Sequence, residues 1–392
     1  MLSRRPFFTP VLLAISFVAS GAAAHAAERP RAREIGVRVG GEATGPHNAI
    51  TDVPGVLVGH ATVVHGERVR TGVTAVVPHG GDLFQQKVPA AVAVANGFGK
   101  LVGVTQVDEL GQLETPILLT NTLNVWEGAA VLVERTLAAP GNEAVRSVNP
   151  VVGETNDGYL SDIRSRPLRT EHFHAALDAA RGGPVEEGAV GAGTGTVTMG
   201  YKGGVGTSSR RVAAGDQRFT VGVLVQTNFG GRLTIAGVAV PSGLSGDERS
   251  AVDAAGEDGS CMIVVATDAP LGARQLRRLA RRCFVGMARA GASFSHGSGD
   301  YAIAFSTAES ARIPADGPLT RRGPHFADGG LSPLFTAAAD ATQEAIYNAL
   351  LKAHTVTGRD GHVAEAVPIA KLRRLLAERS ANGAAEAPAA AD

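Results

Sequence analysis

Little in this chain of 392 residues points to a charged or greasy partner. Lys and Arg number 37, as do Asp and Glu, so the formal net charge is zero. That balance argues against nucleic acid or an anionic membrane as the main partner, because both select basic surfaces. Aromatic residues make up only 5%. Beyond the N-terminal segment no run is long and apolar enough to cross a bilayer. Cysteine occurs only at Cys261 and Cys283, too few for a disulfide scaffold. Neither sits in a CxxC pair or close in sequence to a partner His, which excludes the usual reactive-thiol settings. Cys261 opens an apolar run and Cys283 falls on the apolar face of a predicted helix, so both read as buried free thiols.

The familiar catalytic signatures are missing too. Gly191-Ala-Gly193-Thr-Gly195 is followed by Thr196 where a dinucleotide fingerprint needs its third glycine. Gly200 leads to Tyr201 and Lys202, not to the Gly-Lys-Ser/Thr of a P-loop. No HExxH pair occurs, and His172-Phe-His174 has no companion ligands at zinc-like spacing. Ser298, in His296-Gly-Ser-Gly-Asp300, falls short of a GxSxG elbow. Neither a metal nor a cofactor is expected.

What the chain does have is glycine, 50 residues of it, between short apolar runs. That pattern predicts tight turns and close backbone contacts in an α/β protein. Arg4 and Arg5, the apolar stretch Val11 to Val18, and Ala24-His-Ala26 have the layout of a signal peptide over residues 1–26. Export to the periplasm or medium is the expectation; a retained anchor is the alternative, on a stretch short of the about 20 residues a span needs. Residues 27–44, rich in Arg, read as an extended arm.

Strands are expected in the apolar runs beginning at Gly55, Gly72, Ala90, Val197, Phe219, Leu233, Cys261 and Tyr301. Helices are expected over 122–138 (burying Leu123, Trp126 and Val131) and over 171–181. A third helix should bury Leu276, Leu279, Ala280, Cys283, Met287 and Ala288 and stop at Gly291. Its other face carries Arg274, Arg277, Arg278, Arg281 and Arg282, read as a solvated or subunit-facing side. A last long helix is expected from Ser332-Pro333 to about His354, with Phe335, Thr342, Ile346, Ala349 and Leu350 inward. Residues 382–392 read as a mobile tail.

One junction has chemical interest. Residues 242–259 are small, polar and flexible in composition, the kind of loop where a backbone can be cut. A buried strand follows at once. At Gly259-Ser260 a hydroxyl can attack the preceding carbonyl, and glycine leaves the approach open. Cleavage would give Ser260 a free α-amine, whose reference pKa of about 7.7–8.0 suits a general base near neutral pH. By itself a Gly-Ser before a strand is common and mostly a plain turn.

The surrounding blocks add to that reading. They are Gly45-Pro-His-Asn-Ala-Ile-Thr-Asp-Val-Pro-Gly55, Val58-Gly-His60, Leu119-Thr-Asn-Thr-Leu123, Gly153-Glu-Thr-Asn-Asp-Gly-Tyr159, Gly195-Thr-Val-Thr-Met-Gly-Tyr-Lys-Gly-Gly204 and Gln226-Thr-Asn-Phe-Gly230. Asp258-Gly-Ser-Cys261, Ala266-Thr-Asp-Ala-Pro270, Gly297-Ser-Gly-Asp300 and Gly358-Arg-Asp-Gly-His362 follow in order. From about residue 31 to 378 the chain resembles the self-processing aminopeptidases that include L-aminopeptidase/D-amino-acid esterase-amidases and β-peptidyl aminopeptidases.

The resemblance implies a four-layer αββα sandwich like that of N-terminal-nucleophile hydrolases, with a different strand order. It implies one catalytic domain cut into an α chain (27–259) and a β chain (260–381), assembled as a homo-oligomer of αβ units. Ser260 matches the nucleophile, Ser298 and Asp300 the pair that orients it, and Asn228 the oxyanion donor. Glu154 and Tyr159 fall in the block that shapes the substrate site, with Glu154 suited to a substrate ammonium. Ser298 would also serve as a turn residue, Asn228 as a strand end and Glu154 as an arginine's partner. The activity implied is removal of an N-terminal α-L, D or β residue from peptides, amides or esters. A non-catalytic binder of small amines or peptides on the same fold is the alternative.

Overall fold

A computed structural model of the chain describes residues 29–242, 259–318 and 326–385. The expected signal peptide, the body of the loop before Gly259 and the last seven residues of the expected tail lie outside them. Strands of five residues or more are β1 Leu57–His65, β2 Val69–Val77, β3 Gln86–Gly97, β4 Ile117–Asn121, β5 Val151–Thr155, β6 Val205–Ala214, β7 Gln217–Asn228, β8 Ser260–Thr267 and β9 Gly299–Ser306. The α-helices are α1 Val104–Leu110, α2 Val125–Leu137, α3 Thr170–Asp178, α4 Ala273–Ala290, α5 Leu331–Lys352 and α6 Ile369–Ala385.

One sheet has the order β1-β2-β4-β5; the other runs β3-β9-β8-β7-β6, with a two-residue strand at 313–314 on the outer side of β3. Alternation along the central strands explains the layering, because successive side chains leave a strand on opposite faces. Met262, Val264 and Ala266 point between the sheets, where Ile117, Leu119 and Val151 of the first sheet meet them. Cys261, Ile263 and Val265 point the other way, onto Leu276, Leu279 and Cys283 of α4 and Ala337, Ala341 and Ile346 of α5. On the outer face of the first sheet, Val73, Leu118 and Val152 bury Val131, Leu132 and Phe173 of α2 and α3. The result is four layers, αββα, with β8 buried along its whole length.

Cys261 and Cys283 are buried and free; burial raises both thiols, Cys283 to about 12. Close backbone contact accounts for some of the glycine. A Cβ at Gly286 of α4 would stand 2.2 Å from the Ala339 carbonyl oxygen of α5, and one at Gly206 of β6 would stand 2.0 Å from that of Ala345.

Several expectations are corrected. Val131 is buried, but Leu123 and Trp126 are 39% and 63% exposed. The inward stripe of α2 is Val125, Gly128, Val131, Leu132 and Thr136, a helical phase that turns Trp126 outward. Ala288 is exposed for a similar reason of phase, while the rest of the predicted α4 face is buried and Gly291 ends the helix with φ 112°. The run from Leu233 is not one strand: Ala236 (φ 49°) and Gly237 (φ 74°) fold it into a hairpin of two-residue strands. At 197 only Val197–Thr198 is extended. The last long helix begins at Leu331 and ends at Lys352; its Phe335 is partly buried beneath Arg278 and Arg282, at 5.2 and 4.3 Å from the ring centre. A further helix, α6, was not anticipated, and it extends to Ala385.

The expected arm is also docked in its described part. Val37 and Val39 are buried, and Arg29 donates to the carbonyls of Leu351 and Val367 at 2.8 and 2.6 Å. Arg33 and the fully buried Arg210 both bind the Glu344 carboxylate, at 2.8 and 2.7 Å. Buried charge that is paired in this way holds the segment in place.

Gly286→Ala and Gly206→Ala should each lower stability by roughly 1–3 kcal/mol through overpacking. The change should appear as a lower denaturant midpoint with an unchanged slope.

Candidate active site

Pairing geometry places Ser260. As the first residue of β8, it lies opposite Asn228, the last residue of β7, and beside Gly299, the first of β9. Its side chain is 4% exposed, and its Oγ accepts a hydrogen bond from the Gly299 N–H at 3.2 Å. Gly259, just before it, lies hard against the end of β7: a Cβ there would meet the Asn228 carbonyl oxygen at 1.9 Å. Only glycine fits that spot without a shift of backbone.

Asn228 has a defined amide orientation. Its Oδ1 accepts from the Val197 N–H at 2.9 Å, which leaves the Nδ2 hydrogens to be donated elsewhere. Ser298 and Asp300 flank Gly299, so as residues i and i+2 they share a face. Both are buried, and among the described residues neither the Ser298 Oγ nor either Asp300 oxygen has a hydrogen-bond partner. Such groups are rare in native interiors and mark a place where something else is to be bound. Asn96 at the end of β3 fixes the turn before them, donating to the carbonyls of Ser295, His296 and Ser298 at 2.7, 3.0 and 2.7 Å.

Glu154 lies across from this group, at the end region of β5. Its Oε1 accepts from the Lys100 N–H at 2.8 Å and its Oε2 from the Thr122 hydroxyl. The connection to Ser260 runs through two glycines. A Cβ on Gly99 would be 3.0 Å from the Gly299 Cα and 3.3 Å from Glu154 Oε1, and one on Gly299 would be 3.0 Å from Ser260 Oγ. No arginine pairs with Glu154 among the described ion pairs. Burial raises its pKa, opposed by Thr122 and Lys100. The Tyr159 ring stacks on His362 at 4.6 Å and packs against a cluster containing Val197. Ser260, Asn228 and Glu154 therefore meet at one end of both sheets, while Ser298 and Asp300 flank Gly299 there on the face of the sheet that Cys261 shares. Asn96, Gly99, Thr122 and Val197 complete the site and were not singled out from sequence, although the last two lie within motif blocks.

The sequence model of peptidase family S58 matches residues 48–364. The chain belongs to peptidase family S58. Beta-peptidyl aminopeptidase BapA of Sphingosinicella xenopeptidilytica is 40% identical over 394 residues, 95% of this chain and 96% of the relative. Among solved structures, the PH0078 protein of Pyrococcus horikoshii OT3 matches with TM-score 0.82 and 42% identity, over 90% of this chain and 99% of that one. The L-aminopeptidase D-Ala-esterase/amidase of Ochrobactrum anthropi, described as a prototype of the serine aminopeptidases and a new variant of the Ntn hydrolase fold, matches with TM-score 0.83 and 36% identity over the same shares, 90% and 99%. The expected family and fold class are thereby met, and the S58 chain is a hydrolase of an aminopeptidase family.

Electrostatics make one demand on this S58 site. Burial pushes the Asp300 carboxyl up to about 6, although the Ser298 hydroxyl and the Cys261 N–H lie near enough to oppose the shift. A raised carboxyl pKa means that the folded state holds the proton longer than the unfolded chain does. Stability associated with Asp300 is therefore present in acid and is lost as pH rises from about 4 to about 6. Asp300→Asn, which removes the ionisable group, should gain melting temperature relative to the parent at pH 8 compared with pH 4. An equal difference at both values would contradict the shift.

Proposed function

We propose that the S58 chain cleaves itself between Gly259 and Ser260 and then acts as a serine aminopeptidase on short peptides, amides or esters. The observation that carries this reading is Ser260 at the head of its strand, opposite Asn228 and alongside Gly299, whose buried neighbours Ser298 and Asp300 have polar atoms without a hydrogen-bond partner among the described residues.

In the precursor, the Gly299 N–H steers the Ser260 Oγ. The hydroxyl adds to the Gly259 carbonyl carbon; the C–N bond breaks, and the Ser260 nitrogen takes up the proton lost by the oxygen. Water then hydrolyses the ester, giving a Gly259 carboxylate and a free Ser260 amine. That amine, in its neutral form, lies where Asp300 can orient it. In turnover it accepts the Oγ proton as the oxygen attacks a substrate carbonyl, becomes the ammonium that the Asp300 carboxylate faces, and hands the proton to the departing amine. Water hydrolyses the acyl-enzyme. The Nδ2 of Asn228 stabilises the oxyanion in both reactions, and Glu154, half-satisfied and without an arginine, receives the substrate's terminal ammonium. Likeness to a protein named as a β-peptidyl aminopeptidase puts β-aminoacyl substrates first in a panel that also holds α-L and D compounds. Export through the N-terminal signal, and assembly of αβ units into a homo-oligomer, belong to the same proposal.

Purified wild-type protein should run as two fragments, the smaller beginning Ser-Cys-Met by N-terminal sequencing. Ser260→Ala should remain one intact, inactive chain with a cooperative melt, and Gly259→Ala should process far more slowly. Full cleavage in Ser260→Ala would exclude the mechanism. Glu154→Gln should raise KM for free-amine substrates much more than it lowers kcat, as measured on a p-nitroanilide series.

A further inference from the structure

Lys202 is a buried cation that the reaction above does not use. It is 0% exposed, and its Nζ donates to three backbone carbonyls, those of Gly193, Thr196 and Gly203, at 2.8, 2.9 and 2.8 Å. An ammonium has three hydrogens, so its donor capacity is filled. All three acceptors belong to one turn, residues 191–204.

That turn has little regular structure of its own. Its only ladder is the two-residue pairing of Val197–Thr198 with Tyr201–Lys202, closed by Met199 at φ 51° and Gly200 at φ 79°. It nonetheless carries the Val197 N–H that holds Asn228 Oδ1. Further ties run from Thr198 Oγ1 to Thr227 Oγ1 at 3.0 Å and from the Met199 N–H to the Phe229 carbonyl at 2.8 Å. Burial lowers the Lys202 pKa to about 7, opposed by the nearby buried Asp157, whose own carboxyl is raised by burial to about 7; a Cβ on Gly195 would stand 2.9 Å from the Asp157 Cβ.

A buried charge is an expensive way to fill space, and an apolar side chain of similar volume is often neutral or better for stability. A neutral side chain cannot gather three carbonyls around one point. We propose that Lys202 is a positioning residue for Asn228: its ammonium draws the carbonyls of Gly193, Thr196 and Gly203 together and so sets the Val197 N–H that aims the Asn228 amide at Ser260. The inference rests on the reading of Asn228 as the oxyanion donor.

A double-mutant cycle on the full chain tests it. The first-order rate of Gly259–Ser260 cleavage is measured for Lys202→Met, Asn228→Ala and the double variant, with kcat and KM taken on the processed protein. Asn228→Ala should slow cleavage by roughly 10²–10³-fold. Lys202→Met should slow it at least about tenfold, and lower kcat with KM nearly unchanged, as expected when an interaction made only in the transition state is lost. The double variant should be no slower than Asn228→Ala, because Lys202 acts only through Asn228.

An undiminished rate in Lys202→Met, or losses that multiply in the double variant, would overturn the positioning role. A normal rate in Asn228→Ala would instead remove the oxyanion reading, and the inference with it. If Lys202→Met melts without cooperativity, Lys202→Gln replaces it in the cycle. That variant keeps a polar donor of similar length, but its amide has two hydrogens and cannot satisfy all three carbonyls, and the same two outcomes decide.

Discussion

Everything at this site hangs on the register of β8 between its two neighbours. Antiparallel pairing with β7 puts Asn228 opposite Ser260, and parallel pairing with β9 puts Gly299 alongside it. Because side chains alternate along a strand, a slip by one residue would exchange Ser260 and Met262 for Cys261 and Ile263 on the inter-sheet face. The buried apolar side chains on both faces of β8 forbid that slip. Packing of the sandwich and placement of Ser260 are thus one constraint: the core that holds the sheets together also fixes the position of the hydroxyl.

Glycine lets the backbones around that hydroxyl come close. Gly259 touches the end of β7, Gly299 the Ser260 Oγ, and Gly99 stands between Gly299 and Glu154. Side chains at these positions would fill the space around the Ser260 hydroxyl. The polar groups show a matching division. Asn96 and Glu154 have their hydrogen bonds made by the protein, which makes them rigid. The Ser298 hydroxyl and the Asp300 oxygens have no such partner among the described residues, and burial raises the Asp300 carboxyl to about 6, which eases the cost of its charge.

Much of the framework was legible because it follows from periodicity. The apolar face of α4, the buried run from Cys261 and the strand from Tyr301 depend on spacing alone, and their boundaries hold to within a few residues. Errors arose where phase or chirality decides. Trp126 is apolar and helical yet exposed, since one step of about 100° separates it from the buried stripe of α2. The run from Leu233 has strand composition, but left-handed φ at Ala236 and Gly237 turns it into a hairpin. The segment from residue 29 read as an extended arm because the buried partner of Arg33, Glu344, lies 311 positions away.

The sequence by itself determined the apolar alternation that makes a layered α/β protein, the change from a small, polar run to an apolar one at Gly259-Ser260, and, through its ordered blocks, the S58 family. Tertiary structure alone decided which side chains meet that serine. Asn228, Val197 with Lys202, Gly99 and Glu154 come from four separate stretches, and the contacts between them depend on distances of a few ångströms that no local pattern encodes. Strand order and register supply those distances, and they are properties of the folded core as a whole.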